Sequence, residues 1–195
     1  DVSNIANVII ITSLNINKID NEITMFVETN NVRGLTGEIA SILYPNSIND
    51  KIAITGTNGK TSIAHYVSEL SSKQFVSNAT FGTLGVLFNR KKFAETNLTT
   101  PDIITNHKIL NKLNKKECKR VIFEASSIGL HQKRLQNIYF DKLAFTNLTN
   151  DHLDYHKDFR NYKSSKLILF NENIKRSTIA VINTDDKYSK AFIKI

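Results

Sequence analysis

The segment Ile52-Ala53-Ile54-Thr55-Gly56-Thr57-Asn58-Gly59-Lys60-Thr61-Ser62 carries the clearest chemical signature in the chain. An apolar run gives way to spaced glycines, a lysine and hydroxyls, in the order strand, tight turn, helix start. Glycines let backbone N–H groups close around phosphate oxygens, and a helix N-terminus adds the positive end of a dipole. Lys60 would reach the β and γ phosphates of a nucleotide, and the Thr61 hydroxyl would hold Mg²⁺. Gly56, Gly59, Lys60 and Thr61 fit the phosphate-loop pattern, whereas Ile54 stands where that pattern has its first glycine. Without the strand before it and the helix after it, the segment would read as a capped helix with an exposed lysine.

Two further segments hold polar groups at the ends of strand-like runs: Phe123 to Leu135 and Phe145 to His156. Mg²⁺ takes hard oxygen ligands and often keeps several waters. Glu124, closing a buried strand, suits that role. His152 is a less usual ligand, and the residues alone do not select it over His156. Taken singly, each reads as structural. Thr99-Thr100-Pro101 reads as a helix cap followed by proline at the first helical position. Lys166, within Tyr162 to Phe170, reads as a surface lysine on an amphipathic helix.

The elements that must position these groups alternate. Asn7 to Thr12 and Glu22 to Val27 are strand-like, and Val32 to Leu43 places Leu35, Ile39, Ile42 and Leu43 at helical spacing. Pro45-Asn46-Ser47 breaks that helix, so a domain boundary is expected near residues 45–50. Beyond it the expectation is strand (Lys51–Thr55), helix (Lys60–Ser72), helix from Pro101 to about Lys116, strand (Arg120–Ala125), strand (Lys142–Asn147), helix (Phe159–Phe170) and strand (Ala180–Asn183). The second of these helices has Ile104, Ile109, Leu110 and Leu113 on its apolar side. Such alternation predicts an α/β fold with a parallel sheet covered on both faces. Ligands of such sheets sit beyond the C-terminal strand ends, where each polar segment falls.

Composition narrows the classes. With 41% hydrophobic and 23% charged residues the chain is globular rather than disordered. Its apolar runs fall far short of the roughly 20 residues that cross a bilayer, and no signal peptide is visible. One thiol, Cys118, excludes an internal disulfide, suits a reducing cytosol and reads as a bystander near a helix end. The net charge of +8 suggests nucleic acid, but the lysines are scattered in ones and twos without interleaved aromatics. The chain opens at Asp1 and stops at Ile195 within a charged run, so it reads as a fragment of a longer protein.

Thr-Gly-Thr-Asn-Gly-Lys-Thr resembles the nucleotide loop of the Mur ligase and folylpolyglutamate synthetase superfamily, which carries this same abbreviated form. Glu124-Ala125-Ser126-Ser127 with Gln132-Lys133-Arg134, then Phe145-Thr146-Asn147-Leu148 and Asp151-His152-Leu153-Asp154-Tyr155-His156, are similar to the pattern of the Mur ligase family and of its MurE branch. That resemblance implies a P-loop ATPase domain of Mur ligase type over residues 50–195, incomplete, preceded by the end of a smaller α/β N-terminal domain over residues 1–49. A third, C-terminal domain that binds the incoming amino acid would be absent. It implies ATP bound by Gly56, Thr57, Asn58, Gly59, Lys60, Thr61 and Ser62, with Lys60, Glu124, His152 and Lys166 as the catalytic set. Mg²⁺ would be held by Thr61, Glu124, His152 and Lys166, the lysine as a carbamate. Thr99, Thr100, Ser127, Gln132 and Arg134 would contact UDP-N-acetylmuramoyl-L-alanyl-D-glutamate, to which meso-diaminopimelate or L-lysine is joined through an acyl phosphate. A monomeric cytoplasmic enzyme of peptidoglycan synthesis is implied, bound neither to nucleic acid nor to membrane. Many family members have histidine after the two serines, where this chain has Ile128, and His131 is not taken as its replacement. The rival expectations are another ligase of the superfamily and a non-catalytic nucleotide-binding module on the same fold.

Overall fold

The computed structural model describes residues 8–12 and 24–194. The expected strand positions Asn7, Glu22 and Ile23 lie outside the described residues. In chain order the elements are β1 (Val8–Thr12), β2 (Thr24–Glu28), α1 (Val32–Leu43), β3 (Asp50–Thr55), α2 (Lys60–Lys73), β4 (Asn78–Gly82), β5 (Gly85–Phe88), β6 (Lys91–Ala94), α3 (Ile103–Asn114), β7 (Arg120–Glu124), α4 (Ser127–His131), β8 (Phe140–Phe145), α5 (Leu153–His156), α6 (Phe159–Glu172), β9 (Ile174–Ile182) and α7 (Ser189–Ile193). β1 and β2 form a parallel pair, and the other strands form one sheet in the order β6-β5-β4-β7-β3-β8-β9.

From β4 to β9 the sheet is parallel, while β5 and β6 add an antiparallel edge. Residues alternate between its two faces, as the pleat requires. Ala53, Val121, Phe123, Leu143 and Phe145 point into the larger core, where α3 contributes Leu110 and Leu113, α6 Tyr162 and Leu169, and α7 Phe192. Phe123 stacks on Phe81 at 4.0 Å and meets Phe140 edge-on at 5.5 Å. Ile52, Ile54 and Ile122 point the other way, onto Ala64 of α2. Register then aligns the rim: Ile54 pairs with Glu124 and Thr55 with Phe145, so β3, β7 and β8 release their loops at one level.

Several elements depart from expectation. The buried residues of α1 are Gly34, Gly37 and Ala40, while Ile42 and Leu43 are exposed. Close approach is the reason: a Cβ on Gly37 would lie 2.9 Å from the Gln136 side chain, so small residues face that contact. α3 begins two residues beyond Pro101, with Asp102 as the cap accepting from the Thr105 amide. Ile103 is thereby buried and Ile104 is half exposed. β8 starts and ends earlier than expected, β9 is longer, and the hairpin β4–β6 was not anticipated. Among the described residues no helix is long and apolar enough to cross a membrane. Cys118 is buried, and burial pushes its thiol up to about 11, which makes it inert as expected.

Candidate active site

β3 ends at Thr55, and the chain turns through Gly56 to Gly59 into α2, whose first residue is Lys60. Gly56 has φ +150° and Gly59 φ +86°, and a Cβ on Gly56 would stand 1.9 Å from Thr146 Oγ1. Glycine at position 56 is therefore demanded by both backbone and space. The loop is braced by the strand-end segment after β8. The Thr57 amide donates to Asn147 O and the Asn58 amide to Asn147 Oδ1, each at 2.9 Å, while Thr146 Oγ1 donates to Asn58 O at 2.7 Å. The first N–H groups of α2 have no acceptor within their own helix and face the turn.

Lys60 Nζ folds back over the loop and donates to Gly56 O at 2.9 Å and Thr57 O at 2.8 Å. Burial lowers its pKa, against the opposing pull of Glu124 and Asp151. Thr57 turns its hydroxyl inward to Tyr162 Oη at 2.9 Å, so this residue serves the loop's shape through its side chain.

Glu124 is buried at the end of β7. Its Oε2 accepts from Thr61 Oγ1 at 2.6 Å, and its Oε1 accepts from the Thr83 amide at 3.1 Å. Lys166 overturns its reading as a surface residue: it is 1% exposed. Its Nζ donates to Gly56 O at 2.8 Å and sits 4.6 Å from the centre of the Tyr162 ring. Burial, then the charge of Lys60, push its pKa down to about 7. α6 therefore delivers to the phosphate loop an amine whose neutral form is favoured far more than an exposed lysine's.

Thr57 to Ser62, Thr99, Glu124, Ser127, His152 and Lys166 all border one cavity of about 270 Å³. Thr83, Ser126, Asp151 and Tyr162 complete its wall, and none of these was given a site role from the sequence. The two histidines are placed differently. His152, at φ +52°, borders the cavity with Nε2 3.6 Å from Asp151 Oδ2. His156 is buried behind the wall, bonded to Ser127 Oγ at 3.0 Å and Ser165 Oγ at 3.2 Å. Glu124, Thr61 and Asp151 border the cavity with hard oxygens, the donor type Mg²⁺ takes, while among the described residues no three His, Cys, Asp or Glu side chains are grouped to hold a metal by themselves.

Thr100, Gln132 and Arg134 do not border that cavity. Thr100 is fully buried, with its hydroxyl bonded to Glu124 O and Ser126, so its side chain braces the strand end. Arg134 donates to Thr100 O and twice to Gln132 Oε1, while Gln132 Nε2 donates to Tyr155 Oη. The Arg134 guanidinium thus meets only neutral oxygens in these bonds. Neither Ile128 nor His131 borders the cavity; His131 Nδ1 lies 3.0 Å from Tyr155 Oη.

A glycine turn, a helix N-terminus, an inward lysine and an acidic strand end on a mostly parallel sheet define a phosphate-loop domain. Residues 54–195 match the Mur ligase middle domain, and the chain belongs to the Mur ligase family. It is similar to UDP-N-acetylmuramoyl-L-alanyl-D-glutamate–2,6-diaminopimelate ligases. That of Rickettsia bellii is 38% identical over 173 residues, 87% of this chain and 36% of the relative. That of Janthinobacterium sp. is 42% identical over 156 residues, 77% of this chain and 30% of the relative. A solved structure of such a ligase superposes with TM-score 0.76 and 31% identity, over 91% of this chain and 36% of the other. A Mycobacterium tuberculosis folylpolyglutamate synthase, at TM-score 0.64 and 14% identity over 83% of this chain and 43% of the other, shares the fold. The chain spans about a third of the length of the curated relatives it matches.

Proposed function

We propose that this chain is the nucleotide-binding part of an ATP-dependent ligase that adds an amino acid, diaminopimelate on the likeness to its relatives, to UDP-N-acetylmuramoyl-L-alanyl-D-glutamate. The observation that carries the reading is the meeting of Lys60, Thr61, Glu124 and Lys166 around one phosphate loop. Residues 1–49 form the end of a substrate-binding domain, residues 50–195 belong to the central domain, and the amino-acid-binding domain belongs to the rest of the ligase. The enzyme works as a cytoplasmic monomer in peptidoglycan synthesis, without nucleic acid or membrane insertion.

The chemistry joins a carboxylate to an amine. The substrate γ-carboxylate attacks the γ-phosphorus of ATP, ADP leaves, and an acyl phosphate forms. The neutral amine then attacks the acyl carbon, and the tetrahedral intermediate loses a proton from nitrogen and expels phosphate. Two anions must be held in line, so charge neutralisation dominates the demand on the site. Loop amides and the start of α2 hold the phosphates. Lys60 exchanges its bonds to Gly56 O and Thr57 O for phosphate oxygens. Bound Mg²⁺, held by Thr61, Glu124 and His152, would supply further positive charge. Thr99, Ser127, Gln132 and Arg134 orient the acceptor, with Arg134 as a fork for its anionic end.

Lys166 adds a distinct element. CO₂ reacts with a neutral amine, which loses a proton and becomes an anionic carbamate. A buried amine with its pKa near 7 is suited to that reaction at neutral pH, and the carbamate oxygens would serve as metal ligands.

The test is phosphate release by the complete ligase with ATP, Mg²⁺, the UDP-linked dipeptide and single amino acids, with Lys60→Ala as control. Release that needs both the dipeptide and diaminopimelate, and is lost in the control, is expected. ATP binding without release for any amino acid would instead point to another ligase of the superfamily or to a non-catalytic module.

A further inference from the structure

Glu124 is held from two sides, and one of them has no assigned role. Gly82 closes β4 with its Cα against the carboxylate: a Cβ there would lie 1.8 Å from Glu124 Oε1 and 2.5 Å from its Cδ. The next residue supplies both of its donors to the same group. The Thr83 amide donates to Oε1 at 3.1 Å, and the Thr83 hydroxyl donates to Oε2 at 3.4 Å. That hydroxyl also lies 3.2 Å from Thr99 Oγ1. Thr61 approaches Oε2 from α2, opposite Thr83. The carboxylate is thus clamped between the start of α2 and the end of β4.

We propose that Gly82 and Thr83 are positioning residues for Glu124, and that the Thr83 hydroxyl couples this carboxylate to Thr99. The inference rests on the proposed ligase reading, in which Glu124 faces the metal and Thr99 the dipeptide. An ionised carboxylate only accepts hydrogen bonds, and a hydroxyl has a single proton to give. While Thr83 donates to Glu124, Thr99 donates to Thr83 and offers lone pairs to the cavity. The 3.4 Å separation makes the Thr83–Glu124 bond weak. Its proton is therefore readily redirected to Thr99, whose own proton then turns to the cavity. Any charge drawing on Oε2 changes what Thr99 offers to the substrate.

Gly82 has a separate duty. A side chain there would stand where the carboxylate lies, so Glu124 must shift. Residues that orient a metal ligand in this way commonly change metal affinity by about ten- to a hundredfold.

The experiment uses the complete ligase, wild type and with Thr83→Val, Thr83→Ser and Gly82→Ala. Valine keeps the backbone donor and the shape while removing the hydroxyl. Because Thr83 is exposed, folding is not at risk. Titration with Mn²⁺, followed by electron paramagnetic resonance in the presence of a non-hydrolysable ATP analogue, reads metal affinity without turnover. Calorimetry reads how many fold the UDP-linked dipeptide tightens when Mn²⁺ and the analogue are added. A single neutral hydrogen bond sets the scale at about fivefold. Thr83→Val is expected to lose that factor from the coupling, Thr83→Ser to regain it, and Gly82→Ala to weaken Mn²⁺ by about tenfold or more. Wild-type coupling in Thr83→Val, or wild-type Mn²⁺ affinity in Gly82→Ala, would overturn the inference alone. A wild-type ligase that binds neither Mn²⁺ with the analogue nor the dipeptide would overturn the reading beneath it.

Discussion

Replacing Lys166 by methionine should change how stability responds to pH. The side chain is 1% exposed, and its pKa falls from 10.5 to about 7, because burial and Lys60 both disfavour the charged form. Between those values the unfolded chain binds a proton that the folded chain does not. Stability therefore rises with pH across this window, by about 1.4 kcal/mol per pH unit from this group. Across the whole window the charged form is disfavoured by about 5 kcal/mol, an order-of-magnitude figure. Urea unfolding between pH 7 and 9 in CO₂-free buffer should show the wild type gaining about 2–3 kcal/mol more than Lys166→Met. Lys51 and Lys60 are shifted in the same direction by burial, so the difference between the two curves is the informative quantity. Parallel curves would refute the burial argument. Adding ¹³C-bicarbonate should then give a carbamate signal in the wild type and none in Lys166→Met.

Other substitutions probe the frame around that lysine. Gly56→Ala pushes a methyl group into Thr146 at a positive φ and should cost about 1–3 kcal/mol of stability while abolishing retention of an ATP analogue, read by thermal shift with and without ligand. Phe123→Ala removes a ring packed between Phe81 and Phe140, and urea unfolding should show a loss of about 3–5 kcal/mol. Cys118, with its thiol pushed up to about 11, should resist a disulfide reagent at pH 8 in the native protein and react in urea.

Legibility in the sequence followed the range of the forces involved. β3, the start of α2 and β7 were readable because an unbroken apolar run and a glycine turn act locally. α1 was placed correctly from Val32 to Leu43, yet its contact face was misread. Helical spacing pointed to Leu35, Ile39, Ile42 and Leu43, of which the last two are exposed, whereas contact with Gln136 selects Gly37 on the buried side. β4 was missed because Asn78, Thr80 and Gly82 interrupt its apolar pattern. Missing that strand hid Thr83, which stands beside Glu124 only through the pairing of β4 with β7. Lys166 is the sharpest case. A lysine on a helix gives no local sign of burial, and the carbonyl that accepts its hydrogen bond belongs to Gly56, far away in sequence.

The bracing of the phosphate loop by Asn147 also bears on synthesis of the chain. Asn58 waits for a partner 89 residues downstream, and Lys166 meets Gly56 across 110 residues. β3 likewise pairs only with β7 and β8, so its neighbours on both sides are translated long after it. Such non-local closure is slow and leaves apolar strand edges waiting for partners. A nascent chain ending before Phe140 lacks β8, the Asn147 brace and α6 together. The grip on nucleotide should therefore arise late on the ribosome, as one step after α6 has emerged, and ATP should protect only nascent chains longer than that point from proteolysis.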